Sequence, residues 1–188
     1  MDTHLKTIEE LMTDLPDKDR EILADAFEVR NWPIGSYMSS QGDADENEYV
    51  LLSGRARSVV TDAEGTEVNL NLYAAPMVIT PNMARTSGGR SLVDIEILDA
   101  AVAASMPAAQ LMDLMVNFES IREWGNNIMR EELNRKVERE WCLAALSARQ
   151  RLEWFRKMHP GYETLFPHFH IASYLGMTPV TLSRVRNR

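Results

Sequence analysis

Between residues 28 and 106 the apolar residues run at strand length, and glycine interrupts them about every ten residues. The runs are Tyr49-Val50-Leu51-Leu52, Ala56-Arg57-Ser58-Val59-Val60 and Val68-Asn69-Leu70-Asn71-Leu72. Gly35, Gly42-Asp43, Ser53-Gly54 and Glu64-Gly65 stand between them. Short strands at that interval build an antiparallel barrel or sandwich, with glycine at the positive-φ positions of the turns. From residue 108 to 146 the period changes to helical, with Ile121, Trp124, Ile128, Leu133, Val137 and Trp141 recurring amid many charges. Gly125 weakens this helix and marks a candidate start. Ahead of the strands, residues 4–27 read as two short helices broken at Leu15-Pro16-Asp17, a lid for the β unit. The long helix carries one narrow apolar stripe. Such a stripe on a helix that outruns a small barrel fits the seam of a parallel coiled-coil dimer.

The final forty residues are finer grained. Ser147 with Gln150 forms a capping box that opens a helix over Leu152, Trp154, Phe155 and Met158, and His159-Pro160-Gly161 stops it. Pro167 starts a short helix, His168 to Leu175. Gly176 makes a turn, Thr178 is placed as N-cap and Pro179 as first residue of the last helix. Two short helices about a glycine turn are the helix-turn-helix pattern, with Ala172 at the close approach and Ile171, Leu175, Leu182 and Val185 as shared core. The second helix then presents Pro179, Val180, Thr181, Ser183, Arg184 and Arg186 outward. Arginine can pair bidentately with guanine, Ser and Thr can hold phosphates, and valine suits a thymine methyl. The chain carries a net charge of −8, yet residues 143–188 hold seven Lys/Arg against Glu153 and Glu163. An acidic body with a basic end points to a sensor or scaffold joined to a nucleic-acid-binding tail.

These features resemble the Crp/Fnr superfamily of transcription regulators over nearly the whole chain. In the β part the matching residues are Pro33-Ile34-Gly35, Gln41-Gly42-Asp43, Glu48 to Gly54 and Asp62 to Glu67. In the C-terminal part they are Ile171 to Pro179 and Thr181 to Arg186. The resemblance implies an α+β chain: an antiparallel, jelly-roll-like β-roll sensor domain of cyclic-nucleotide-binding type, a long dimerisation helix and a small all-α helix-turn-helix domain. The boundaries expected are 1–117, 118–146 and 147–188. It further implies a homodimer paired through Ile121, Trp124, Ile128, Leu133, Val137 and Trp141. That dimer would bind a palindromic duplex operator through Thr178, Pro179, Val180, Thr181, Ser183, Arg184, Arg186 and Arg188.

The departures from the family pattern limit its effector. Gly89-Arg90-Ser91-Leu92 resembles the phosphate-binding half of a cyclic-AMP pocket, and Lys136 falls where an adenine-facing hydroxyl belongs. This makes Arg90, Ser91 and Lys136 the candidate ligand residues for an unknown small effector. The Gly-Glu pair that holds the ribose is missing from Ala75 to Met83, so cyclic AMP is not the expected ligand. The single cysteine, Cys142, rules out a four-cysteine iron–sulfur cluster and an intrachain disulfide. His168 and His170 flank Phe169 but are read as surface or phosphate-facing residues, and neither metal nor cofactor is expected. No nucleophile–base constellation or phosphate loop suggests an enzyme. No apolar run reaches membrane length, and the polar N-terminus carries no signal peptide, so a cytoplasmic address is expected. The chain stops at Arg188, which leaves no length for a β-hairpin wing. The alternative is a ligand-sensing or partner-binding scaffold that contacts RNA polymerase or another regulator through its acidic roll, with DNA contact secondary or absent.

Overall fold

A computed structural model of the chain describes residues 3–187. Two short helices, α1 (Thr3–Glu10) and α2 (Asp17–Asp25), lead into strands β1 (Glu28–Trp32), β2 (Tyr37–Ser39), β3 (Asn47–Ser53), β4 (Arg55–Thr61), β5 (Glu67–Ala74) and β6 (Met77–Val78). A single-turn helix α3 (Asn82–Arg85) follows, then the hairpin β7 (Thr86–Ser87) and β8 (Arg90–Ser91), and strands β9 (Asp94–Ile97) and β10 (Ala101–Pro107). The rest is helical: α4 (Ala108–Asn117), α5 (Glu119–Ala145), α6 (Ala148–Met158), α7 (Tyr162–Leu165), α8 (His168–Tyr174) and α9 (Pro179–Arg186). The larger strands form two antiparallel sheets, ordered β1-β10-β3-β6 and β2-β9-β4-β5. The β-roll expected from the glycine-punctuated runs is therefore present.

Strand β3 is buried on both faces, and its period of two sorts its side chains between two cores. Val50 and Leu52 join Ala104 and Met106 of β10 against α1, α2, α4 and α5. Tyr49 and Leu51 point the other way, into the roll with Ile95, Ile97 and Ala103. The N-terminal helices thus cover one outer face of the roll. A third cluster gathers Leu152, Phe155, Phe166, Ile171, Leu175 and Leu182 of the C-terminal helices around Leu72 of β5.

The long helical stretch is not continuous. Phe118 is extended at φ −126°, ψ 114°, and it separates α4 from α5. Gly125 is consequently not the helix start; it lies buried inside α5, where an added Cβ would come within 3.0 Å of the Met115 thioether. At Gly125 the small residue serves the packing of α4 on α5. The stripe proposed as a dimer seam also divides. Ile121 and Trp124 are closed into the chain's own core and Ile128 packs against it, because α1, α2 and α4 lie over this half of the helix. Ile121 and Trp124 are corrected from interface to core, and Ile128 lies partly buried at the edge of that core.

At the β3–β4 turn Gly54 sits at φ +85°, and a Cβ there would lie 2.8 Å from the Ala101 side chain and 2.9 Å from the Ala100 carbonyl. Gly54→Ala is expected to destabilise by about 2–3 kcal/mol from left-handed strain and backbone overlap. That corresponds to a Tm lowered by roughly 5–10 °C for a chain of this size. Thermal unfolding reads it, and a variant that melts with the parent would refute the close approach.

Candidate functional site

The helix-turn-helix is built as the residue pattern implies. Ile171, Ala172, Leu175 and Leu182 are fully buried and join Leu152 and Phe155 of α6. The turn uses Gly176 at φ +59°, where a Cβ would meet the Leu143 side chain at 3.2 Å. Thr178 caps α9: its Oγ1 accepts from the Thr181 N–H at 3.1 Å, and Pro179 opens the first helical turn. The capping box of α6 is also present, with Gln150 Oε1 accepting from the Ser147 N–H at 3.0 Å.

The outward face of α9 carries Pro179, Val180, Ser183 and Arg184, all exposed, with Thr181 half-buried beside its cap. Val180 is 59% exposed. Arg186 is exposed but engaged along the surface. Its Nε donates to Glu163 Oε1 at 3.1 Å and its Nη1 lies 3.0 Å from His168 Nδ1. Arg188 lies outside the described residues. Other members of the basic end are likewise engaged. Arg156 shares Glu163, Arg149 pairs with Glu153, and Arg151 donates to the carbonyls of Leu143, Leu146 and Leu175. The charge count of the sequence therefore overstates the free cations on this face. Among the described residues no ion pair reaches Arg184.

The histidine pair separates. His168 meets Arg186, whereas His170 is only 6% exposed and faces the roll, so it is not a surface residue. Its Nδ1 lies 3.3 Å from Arg57 Nη1 and 3.2 Å from Asn69 Nδ2. Both neighbours are donors, which makes Nδ1 the acceptor and the imidazole neutral. Burial, then Arg57, holds its pKa down at about 4. Asn69 ties the junction from the β5 side. Its N–H donates to Ser173 Oγ at 2.9 Å and its amide to the His170 carbonyl at 3.0 Å, while Arg139 Nη2 donates to the Asn69 and Tyr174 carbonyls. Arg57 donates to Asn69 and forms ion pairs with Glu67 and Glu96. None of this docking was legible beforehand. The only signal was a strand with polar residues at 69 and 71, and Asn69 meets His170 across 101 residues of sequence.

On α5, Leu133, Val137 and Trp141 are 58%, 63% and 54% exposed at spacings of four, an apolar row that the chain itself leaves uncovered. The neighbouring face of α5 borders a cavity of about 870 Å³ between the roll, α5 and helices α6–α8. No group of His, Cys, Asp and Glu suited to a metal occurs among the described residues, and no described helix is long and apolar enough to cross a membrane.

No protein-family model and no curated protein matches this sequence. Solved structures do match. FixK2 from Bradyrhizobium japonicum superposes with a TM-score of 0.73 at 16% identity over 86% of this chain and 83% of its own. A protein described as a Crp/Fnr-family transcriptional regulator, from Eubacterium rectale, gives 0.69 at 16% identity over 94% and 84%. The Thermus thermophilus catabolite activator protein gives 0.61 at 19% identity over 94% and 84%. The chain has the Crp/Fnr fold.

Within this Crp/Fnr fold the three ligand candidates are not brought together. Arg90 is exposed and donates to the Gly42 carbonyl at 2.7 Å, and buried Ser91 donates to the Val93 carbonyl at 2.7 Å. Both serve the β7–β8 hairpin, which closes on the Gln41–Asp45 loop, and neither borders the cavity. Lys136 does border it, with its Nζ 3.0 Å from Glu132 Oε1. The sequence reading missed Glu132, whose 5%-exposed side chain accepts from Thr80 Oγ1 at 2.9 Å and locks α5 to the roll. It also missed the buried Arg85–Asp45 pair, 3.0 Å apart.

Proposed function

We propose that the chain is a homodimeric, sequence-specific, duplex-DNA-binding transcription regulator of Crp/Fnr type. In this reading residues 1–117 are the sensor, 118–146 the dimerisation helix and 147–188 the DNA-binding unit. The supporting observation is α9: an N-capped helix on a complete apolar core whose outward face offers Val180, Ser183 and unpaired Arg184. Pairing of two copies through Leu133, Val137 and Trp141 would bury three large exposed side chains per chain and set two recognition helices in successive major grooves about 34 Å apart. The operator is then twofold symmetric. Arg184 supplies the charged base contact, Thr178 and Ser183 hold backbone phosphates, and Pro179, Val180 and Thr181 supply apolar and hydroxyl contacts. Arg186 joins the phosphate contacts only after leaving Glu163. A small effector other than cyclic AMP gates the sensor in the cytoplasm, and RNA polymerase is a further partner at the promoter.

The test is selection of duplexes from a random library by the purified chain, with and without cyclic AMP. A twofold-symmetric site recovered equally in both conditions is expected. Arg184→Ala should weaken the selected site by about 1–3 kcal/mol, or roughly 5- to 150-fold, and relax preference at one position per half-site. Because so few cations on this face are free, the salt dependence should be shallow, with a log–log slope of roughly −0.9 per neutralised phosphate. Failure of both conditions to enrich a motif, or full retention by Arg184→Ala, would sink the DNA reading and favour the scaffold alternative, whereas recovery only with cyclic AMP would overturn the exclusion of that nucleotide.

A further inference from the structure

Strand β5 is the outer member of its sheet and is hydrogen-bonded there to β4 alone. The outward N–H and C=O groups of such a strand need partners that no neighbouring strand supplies. The C-terminal part of the chain supplies them. The Asn69 N–H donates to Ser173 Oγ at 2.9 Å, and the Ser173 hydroxyl donates to the Glu67 carbonyl at 3.3 Å. The Asn69 carbonyl accepts from Arg139 Nη2 at 3.1 Å. Helix α8 and one arginine of α5 thus stand where a further strand would pair. The ladder is irregular at this point: Val59 faces Asn69 and Ser58 faces Asn71, which leaves Leu70 as an extra residue on β5. A bulge of this kind re-aims the groups around it.

Side chains lock this register. The buried Asn69 amide donates to the His170 carbonyl at 3.0 Å, and its Oδ1 accepts from Arg57 Nη1 at 3.0 Å. Arg139 Nη2 also donates to the Tyr174 carbonyl at 2.9 Å, so one guanidinium joins β5 to the last turn of α8. Outward groups on a strand recur every second residue, about 6.6 Å apart, so α8 cannot slide without losing all of these bonds together. Between α5 and α6 only Leu146 (φ −96°, ψ 143°) and Ser147 (φ −67°, ψ 160°) leave helical geometry. A joint that short, with nothing else holding it, lets the helix-turn-helix swing as a rigid body. The contact with β5 removes that freedom. Arg139 stands between Val137 and Trp141 on α5, which ties the junction to the helix through which two copies are read to pair.

We propose that Asn69, Ser173 and Arg139 are positioning residues for operator recognition: they register α8 on the edge of β5, fix the separation of the two recognition helices and confine the paired chain to one half-site spacing. This rests on the reading of α9 as the recognition helix of a homodimer and adds what sets the distance between its half-sites. Each base pair added between half-sites moves one of them by about 3.4 Å and turns it by about 35°. A swinging unit absorbs such a change. A registered one has to distort itself or the duplex.

The test measures binding of the full chain to duplexes that carry two copies of the half-site recovered by library selection. Their separation is varied by one and two base pairs either side of the recovered value, and one further duplex carries a single half-site. The parent should lose at least ~10-fold for one base pair added or removed, the order of a modest duplex distortion. The double variant Asn69→Ala/Ser173→Ala should lose less than ~3-fold for the same change and bind the single half-site within ~2-fold of the parent, since α9 itself is untouched. Arg139→Met removes the bonds from the α5 side, should relax the profile likewise, and decides the matter if the double variant fails to fold. Asn71→Ala deletes an amide from the same strand that bonds Thr80 rather than α8, and should keep the parent's profile. The spacing role alone is overturned if the parent binds while the double variant and Arg139→Met keep its profile, if Asn71→Ala relaxes the profile as much, or if the double variant binds the recovered site more tightly than the parent. A parent that binds no duplex, the single half-site included, would sink the DNA reading and the spacing role with it.

Discussion

Arg57→Met should lower stability by about 3–5 kcal/mol, the range for removing one partner of a buried ion pair. The Arg57 side chain is 8% exposed, and Glu96, at 18%, accepts from its Nε at 2.6 Å. Methionine fills much of the volume but leaves that carboxylate without its counter-charge, and it strips Asn69 Oδ1 of its donor in a residue that is 1% exposed. The Tm should fall by roughly 8–15 °C. Glu96→Gln in the same chain removes the stranded charge and should recover about 1–2 kcal/mol, since an uncharged amide costs less to leave unpaired. Because Asn69 anchors α8, proteolysis of the C-terminal helices should accelerate in Arg57→Met before the roll is cut. A loss below about 1 kcal/mol would mean that the guanidinium is not desolvated as the structure has it.

Acid should unfold the chain through two desolvated imidazoles, the buried His170 and the half-buried His159. His159 and His170 each have a folded pKa of about 4, against an ordinary value of 6.5. Between these values the unfolded chain binds protons that the folded chain refuses, so stability is complete above about pH 6.5 and is lost as pH falls toward 4. Each group contributes up to about 3 kcal/mol of that loss. Protonating His170 removes the acceptor facing Asn69 and sets a second cation beside Arg57, with Glu67 as the only nearby acid that favours it. His159, beside Tyr174 Oη at 3.2 Å and facing Arg135, has no acid among the groups that shift it. Urea unfolding at pH 7 and pH 4.5 reads the effect. His170→Gln should cost stability at pH 7 yet lose much less than the parent on acidification. Equal losses in both chains would show that His170 is already protonated or exposed.

The fold was legible wherever one element carried its own signature. The strand runs with glycine turns gave the roll, the Ser147–Gln150 box gave the start of α6, and Gly176 with Thr178 and Pro179 gave the turn and cap of the last helix. The apolar stripe of α5 was legible as a stripe but not as two halves, because periodicity reports that a face is apolar and not what covers it. Only packing distinguishes Trp124, under the N-terminal helices, from Trp141, on the open side. The same limit applies to charge. Counting seven cations in the last segment could not show that Glu163 takes two of them and main-chain carbonyls a third. Arg90 and Ser91 matched a local pattern, yet the hairpin turns both toward its own loops. Glu132, Arg57 and Asn69 matched no pattern, since the partners that dock them to other elements lie far along the chain: Thr80 is 52 residues from Glu132, and His170 is 113 from Arg57 and 101 from Asn69.

Leu72 belongs to a strand of the roll, yet it is 5% exposed because the C-terminal helices close over it, and Ala74 and Leu98 pack against the same cluster. The hydrophobic centre of the helix-turn-helix is therefore partly on loan from the other half of the molecule. Amide protons of α8 should exchange with deuterium only by the opening that also exposes β5, so the two segments share one exchange free energy. Residues 147–188 expressed alone would carry an open apolar floor where Leu72 sits, and would melt far below the intact chain.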